Sequence, residues 1–363
     1  MAPIELPTVH VQGGPRAMGQ AQGEALRDTI TRFVRQRQAA ARAYLMERKI
    51  PSDAFVATGA RCMAIAAKWD PEGHAEHLGI AEAAGVDATL LYATTNMTDI
   101  RDVIAYGAGV DDLPAADQEG CSTLLVPASR TTTGNMLAAQ TWDLNPQDVA
   151  FVVAVHRTPD DGPETWSVTC AGCLSLMGMN EHGLALGTNN IKIRPVRDGV
   201  GYLSLLHRTM RCRDRAEAAA VLKAAPRSAA HVYWFADPQG ADEHECSADE
   251  IVTRSLDDDP LCRSNHCLSP EHVKREAEDP LSSSYARRAR MTTRLDRRGL
   301  DVDAIRSIFA SREDGVDSIS RWPEDEQGSA TNACLITEPA TRTVWACAGP
   351  AQRGAWQQLR FGR

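Results

Sequence analysis

The pattern of hydrophobic and polar positions changes once along the chain, near Gly107. From about residue 15 to residue 105, apolar residues recur at helical spacing, with breaks at "WDPEG" and "AGVD". Beyond that point, short runs of strand-forming residues are separated by turns such as "TTTGN", "PDDGP" and "NEHG". The pattern therefore predicts a helical N-terminal segment followed by a region rich in strands.

The second region is predicted to hold its strands and helices in groups. Strands are predicted at 122–126, 136–142, 150–156, 166–174, 184–188, 231–236 and 251–254, with a final hairpin that turns at 338–342. Helices are predicted at 202–211, 215–225, 284–297 and 302–311. Strands that follow one another without a helix between them favour antiparallel sheets, so the predicted fold class is α+β. In the N-terminal segment, Gly19 and Gly23 share one helix face and favour close helix packing.

Composition and charge exclude several classes of protein. The 363 residues are 43% hydrophobic and 24% charged, which is enough for a sizeable core. A net charge of −9 argues against a nucleic-acid partner. Neither a signal peptide nor a membrane span is indicated, and the ten cysteines are expected to be reduced thiols. We therefore expect a cytoplasmic protein without a membrane partner, for which a homo-oligomer remains an open alternative.

One dipeptide, Gly120 followed by Cys121, carries a specific chemical hypothesis. It ends an irregular loop, "YGAGVDDLPAADQEG", and opens a predicted strand. A cysteine at a chain N-terminus has its own base, because a free α-amine has a pKa of about 7.7–8.0. Glycine before the cysteine leaves the preceding carbonyl open to attack by the thiol. Self-cleavage between the two residues would thus convert an inactive zymogen into a thiol nucleophile with a neighbouring base.

Further motifs lie along the chain in a definite order. They are "GGPRAMGQAQGEALRDTI", "EHLGIAEAAGVDATLLYATTN", "GCSTLLV" with "QTWDLNP", "GMNEHGLALGTNN", "SNHCL", "SSSYARRARM" and "SRWPEDEQGSATNACLITEPATRTVWACAGP". Together, over residues 8–361, they resemble the acyl-coenzyme A:6-aminopenicillanic-acid acyltransferase family of N-terminal-nucleophile (Ntn) hydrolases. The segment "NMTDIRD" departs from the family pattern, since Thr98 stands where an arginine is usual.

The resemblance implies an Ntn-hydrolase αββα sandwich that is cleaved before Cys121. Residues 1–120 would form a mainly helical alpha segment and residues 121–363 the beta segment, with both fragments of the same chain in one αββα unit. The partner implied is a small-molecule amide substrate, and no cofactor or metal is implied.

The resemblance also implies roles for individual residues. Cys121 would be the nucleophile. Asp143, after "TW", would hydrogen-bond the new α-amino group or a neighbouring arginine. Asn265 would donate to the oxyanion, because a side-chain amide stabilises negative charge without ionising. Asn189 would line the substrate pocket, and Arg321 would hold Asp143 or a substrate carboxylate.

Three other functions remain as alternatives to hydrolysis of a small N-acyl amide through a Cys121 thioester. The first is an acyltransferase, in which an amine instead of water resolves the thioester. The second is a non-catalytic Ntn-like binding protein, which would not need the nucleophile. The third is a zinc site built from "CAGC" and "CRSNHC". We expect no metal there, because the predicted strand over residues 166–174 would point its two cysteines to opposite faces.

Overall fold

The computed structural model describes residues 2–107, 120–326 and 328–362, and two β-sheets form its centre. The helices are α1 (Pro15–Ala25), α2 (Arg27–Glu47), α3 (Ala54–Trp69), α4 (Pro71–Ala84), α5 (Ala88–Thr95), α6 (Met97–Gly107), α7 (Tyr202–Thr209), α8 (Arg215–Ala224), α9 (Pro270–Val273), α10 (Ser282–Leu295) and α11 (Val302–Phe309). The irregular loop predicted before Gly120 lies mostly outside the described residues.

The strands divide between an eight-stranded and a six-stranded sheet. In chain order they are β1 (Thr8–Gly13), β2 (Gly120–Val126), β3 (Leu137–Leu144), β4 (Val152–Pro159), β5 (Thr165–Cys170), β6 (Met177–Asn180), β7 (Ala185–Asn190), β8 (His231–Asp237), β9 (Gly240–Cys246), β10 (Ile251–Ser255), β11 (Leu261–Arg263), β12 (Ala330–Glu338), β13 (Thr343–Ala348) and β14 (Gln357–Leu359). The large sheet has the order β1-β4-β5-β6-β7-β8-β9-β10, and the small sheet has the order β11-β2-β3-β12-β13-β14.

Side-chain alternation along single strands defines the four layers. On β4, Ala154 joins the core between the sheets, whereas Val155 faces a second core formed with α1, α2, α4 and α5. On β2, Leu125 joins the core between the sheets, whereas Leu124 faces a third core formed with α10 and α11. Each sheet is therefore covered by helices on its outer face, and the predicted αββα sandwich is confirmed.

Most of the predicted elements are confirmed to within a few residues, including the C-terminal hairpin β12–β13. The strand pairs are antiparallel except for β1 with β4, which is parallel. The prediction missed β1, because "TVHVQG" is short and partly exposed and gives little periodic signal. Through β1, the segment before Gly120 shares a sheet with the segment after it.

The predicted strand over residues 166–174 is wrong at its end. The observed strand β5 stops at Cys170, and a turn follows in which Cys173 N donates to Cys170 O at 3.0 Å. Gly172 allows the turn because its φ is +85°, a conformation that other residues adopt at a cost. The "CAGC" segment therefore lies on a turn, and the expected alternation of its cysteines does not apply.

Candidate active site

Cys121 lies near the start of β2, where the backbone fixes its surroundings. In the β2–β3 ladder, Gly120 is opposite Asp143, and Cys121 is opposite Trp142. The cysteine is 6% exposed. Its backbone N donates to Asn265 Oδ1 at 2.7 Å. A side-chain acceptor thus already holds the nitrogen that cleavage would turn into an α-amine.

Asn265 follows β11, the strand that pairs with β2 on its other edge. Its Oδ1 also accepts from Arg287 Nη2 at 2.9 Å, and its Nδ2 donates to Asn190 O at 2.8 Å. These three bonds fix the orientation of the amide. The structure therefore brings Asn265 to Cys121, with the second Nδ2 proton available for a further acceptor. Its role as an oxyanion donor stays a prediction.

Asp143 and Arg321 flank the peptide at Gly120. A methyl group added to Gly120 would lie 3.0 Å from Asp143 Oδ2 and 3.2 Å from Arg321 Nη1. Burial raises the pKa of Asp143, and the positive charges of Arg321 and Arg287 oppose that rise. The structure thus places Asp143, Arg321 and the candidate cleavage site together.

The serine hydroxyls around Arg321 determine its position. Its Nη1 donates to Ser329 Oγ at 2.6 Å, and its Nη2 donates to Ser283 Oγ at 2.5 Å. The side chain is 3% exposed. Arg321 is therefore a fixed, buried cation beside Asp143, and its contact with a substrate carboxylate stays a prediction.

Arg287, on α10, is a site residue that sequence reasoning missed. Its Nη1 donates to Cys121 O at 2.6 Å and to Ser122 Oγ at 3.0 Å. Burial and the charge of Arg321 lower its pKa to about 10, so the guanidinium stays charged at neutral pH. The available signal was the motif "SSSYARRARM", but sequence could not separate Arg287 from Arg290, which pairs with Asp314 near the surface.

Asn189 lies between the two sheets. Its Oδ1 accepts from Thr123 Oγ1 at 2.7 Å between the sheets, and its buried Nδ2 has no hydrogen-bond partner among the described residues. The neighbouring residue, Asn190, lines the cleft beside Cys121. The contact of Asn189 with substrate therefore stays a prediction.

A cleft of about 310 Å³ contains Cys121. Its lining residues come from both sheets and two helices and are Thr98, Cys121, Trp142, Asp143, Leu144, Leu176, Thr188, Asn190, Tyr202 and His231. A second pocket of about 530 Å³ adjoins it at Asn190 and is lined by Asn265 and Arg287. Asn190 thus lies between the cleft that contains Cys121 and a pocket lined by Asn265 and Arg287.

The cysteines proposed as zinc ligands are deeply buried. Burial raises the pKa of the Cys173 thiol to about 12, and it also raises the pKa of Cys170 well above its usual value. Over residues 2–107, 120–326 and 328–362, no three His, Cys, Asp or Glu side chains are arranged to hold a metal ion. In the same ranges, no helix combines the length and the apolar character needed to cross a bilayer.

Comparison with known proteins gives one family match and several similar structures. A family model described as acyl-coenzyme A:6-aminopenicillanic acid acyl-transferase matches residues 130–353, well over half of the chain. The matched range contains Asp143, Asn189, Asn265 and Arg321 and begins after Cys121.

The similar structures overlap with about two thirds of the chain. Penicillin V acylase from Agrobacterium tumefaciens is 13% identical, with 67% of this chain and 86% of that chain covered and a TM-score of 0.39. Two variants of a conjugated bile acid hydrolase from Clostridium perfringens are 9% and 10% identical, with 67% of this chain and 97% of each of theirs covered and TM-scores of 0.39 and 0.40.

Proposed function

The chain belongs to the acyl-coenzyme A:6-aminopenicillanic acid acyl-transferase family, and on that premise we propose that it is a cysteine amidohydrolase activated by its own cleavage. Its substrate is a small N-acyl amide, and its nucleophile is the thiol of Cys121. A single observation carries the proposal. The backbone N of Cys121 is held by Asn265 Oδ1 at the edge of a cleft that also contains the cysteine.

Activation begins with attack of Cys121 Sγ on the carbonyl carbon of Gly120. The peptide C–N bond breaks, the thiol proton passes to the departing nitrogen, and a thioester joins Gly120 to Sγ. Water then hydrolyses the thioester and leaves a carboxylate on Gly120 and a free thiol on Cys121. Asp143 lies beside Gly120, and its raised pKa makes its carboxylate a better base. Both features support a role for Asp143 as the proton carrier.

Turnover uses the same atoms in a second cycle. The new α-amine of Cys121 takes the thiol proton, and Sγ attacks the amide carbonyl of the substrate. The free Nδ2 proton of Asn265 supports an oxyanion role, and the charge of Arg287 favours negative charge near Cys121. The α-amine passes its proton to the leaving amine and then activates water, which releases the acid. Activity should fall at acidic pH as the α-amine becomes protonated.

An intact-mass measurement tests the activation step. Wild-type protein should give two fragments, residues 1–120 and 121–363, and Cys121→Ala should remain whole. Cys246→Ala, which removes another buried thiol far along the chain, is the control and should be cleaved normally. A single undivided mass after long incubation of the wild type would refute self-cleavage.

Acyl transfer is the second candidate, and the description of the family favours it. The same thioester on Cys121 would then be resolved by an amine. Product partitioning separates the two functions, with a chromogenic N-acyl amide and rising concentrations of added amine. Mostly free acid, independent of the amine, supports the hydrolase. A dominant transfer product at low millimolar amine would replace it with the acyltransferase.

A further inference from the structure

The cleft beside Cys121 extends from the small sheet to the large one, where it is lined by His231, the first residue of β8. The cleft enters the large sheet where two neighbouring strands, β6 and β7, diverge. The β6–β7 ladder contains only two residue pairs, Gly178 with Leu186 and Met179 with Ala185. Leu176 and Thr188, on either side of the diverging ends, both line the cleft. The large-sheet side of the cleft is therefore a place for a part of the substrate that extends away from the thiol.

His231 is held in one orientation on this side of the cleft. Its Nε2 lies 2.6 Å from Asp99 Oδ1. Asp99 Oδ2 accepts from Tyr202 N at 2.9 Å and from Ser228 Oγ at 2.8 Å, so this carboxylate acts only as an acceptor. The proton between His231 and Asp99 therefore belongs to Nε2. The ring also stacks on Tyr202, with centroids 4.9 Å apart.

The other ring nitrogen, Nδ1, has no hydrogen-bond partner within the described part of the chain. The side chain is only 1% exposed, so bulk water does not compensate freely for the missing bond. A buried polar atom without a partner costs about 1–3 kcal/mol, and native structures keep few of them. When the ring carries one proton, on Nε2, Nδ1 is an acceptor, and the matching group is a hydrogen-bond donor that enters the cleft.

We propose that His231, positioned by Asp99, selects acyl groups that carry a hydrogen-bond donor such as a hydroxyl at the end remote from the scissile amide. This inference rests on the proposed function, because it assumes that the acyl group occupies the cleft beside Cys121. Cys121 and His231 both line this cleft, so an acyl group on the thiol and the ring of His231 share one space. Cys121 supplies both the nucleophile and the base. His231 is therefore not needed for the chemical step, and we assign it to substrate recognition.

The experiment compares acyl groups that differ only in the terminal group. The probes are 4-nitroanilides of benzoic, phenylacetic and 3-phenylpropanoic acids, each with either a hydroxyl or a methyl group at position 4 of the ring. Hydroxyl and methyl are similar in size, so the comparison isolates the hydrogen bond. For at least one of the three lengths, the wild type should prefer the hydroxyl compound by about tenfold in kcat/KM, the effect of one net hydrogen bond. Equal use of both compounds at every length would overturn the proposal.

Two variants test whether His231 causes the preference for the hydroxyl compound. His231→Gln can keep the donor to Asp99 through its own amide and lacks the second ring nitrogen, so the hydroxyl-to-methyl ratio should fall to about one. His244→Gln is the matched control, because His244 is a buried histidine on β9 that does not line the cleft, and its ratio should equal that of the wild type. A preference that persists in His231→Gln would refute the role of His231.

The design separates this proposal from the proposed function. If no anilide is hydrolysed in a Cys121-dependent way, the hydrolase assignment fails, and the affinities of the same compounds for Cys121→Ala then test His231 alone. Calorimetry should show tighter binding of the hydroxyl compound to Cys121→Ala than to the double variant with His231→Gln. Equal affinities would overturn the subsite as well. If His231→Gln does not fold, the wild-type hydroxyl-to-methyl ratio decides the question.

Discussion

At the residue scale, the side-chain amide of Asn265 can serve two purposes, one through its oxygen and one through its nitrogen. Its Oδ1 accepts from Cys121 N and Arg287 Nη2, and its Nδ2 donates to Asn190 O. The acceptor side positions the future α-amine. The donor side has one proton left for the oxyanion of a substrate, a role that requires N–H instead of a second oxygen.

Replacing Asn265 by Asp and by Ala distinguishes these purposes. Asp keeps the acceptor and loses the donor, whereas Ala loses both. If oxyanion stabilisation is the dominant role, both variants should lose kcat by about 10²–10³, the typical effect of removing one oxyanion donor. Steady-state kinetics on processed enzyme provides the measurement. Near-normal kcat in Asn265→Asp would assign the residue to positioning alone.

A second residue-scale prediction concerns Gly120. In Gly120→Ala, the new methyl group would crowd Asp143 Oδ2 and Arg321 Nη1, which must move by a few tenths of an ångström. We expect self-cleavage to slow by roughly tenfold to a hundredfold, since small displacements of reacting groups have effects of this size. A time course of intact mass measures the rate. Gly107→Ala is the control, because among the described residues its methyl group would meet only Val196 Cγ2, at 3.7 Å.

At the element scale, the packing of α1 against α4 depends on small residues. Gly19 and Gly23 face α4, as their spacing predicted, and a methyl group at Gly19 would lie 2.0 Å from Glu76 O. The obstructing atom belongs to the backbone of α4, so a side-chain rotation cannot relieve the contact. Glu76 itself pairs with Arg157 at 2.7 Å, and the helix contact therefore also holds a buried ion pair in place.

Gly19→Ala should consequently destabilise the protein although alanine is the better helix former. The helices must separate, and overpacking typically costs about 1–3 kcal/mol in the free energy of unfolding. Urea unfolding monitored by circular dichroism measures the change. Glu24→Ala, at an exposed position of the same helix, should stay within about 0.5 kcal/mol of the wild type. Equal stability of Gly19→Ala and the wild type would contradict the observed contact.

At the scale of the whole molecule, buried histidines connect stability to pH. Burial lowers the pKa of His77 to about 4, and its Nε2 lies 2.8 Å from Ala88 O. Burial and nearby arginine charges likewise lower the pKa of His266 to about 4. The unfolded chain binds these protons near pH 6.5 and the folded protein does not. Stability should therefore fall as the pH decreases from about 6.5 to about 4.

The contribution of His77 can be isolated by substitution. Its lowered pKa corresponds to a loss of up to about 3 kcal/mol across that pH range. His77→Gln can keep a donor near Ala88 O without a titrating ring, so its unfolding free energy should depend less on pH between 6.5 and 4. Denaturant unfolding at several pH values provides the measurement. His182→Gln, at an exposed position, should retain the wild-type dependence, and an unchanged slope in His77→Gln would disprove the assignment.

The sequence by itself determined those features that depend on local periodicity. The helical spacing before Gly107 and the strand patterns after it were enough to predict the order of elements and the α+β class, because the periodicity of apolar residues is a local property. The αββα layers were implied by the family resemblance. The Gly120–Cys121 dipeptide could also be singled out, since its chemistry involves only adjacent residues. Its cleavage stays a prediction.

Only the tertiary structure decided which distant side chains meet. Asn265 lies 144 residues from Cys121 and Arg287 lies 166 residues from it, yet both contact its backbone because β11 and α10 pack against β2. Sequence could not choose Arg287 over Arg290 or distinguish the places of Asn189 and Asn190, since each choice depends on which face of an element is covered. The pairing of His231 with Asp99 likewise joins two elements whose contact no local pattern encodes.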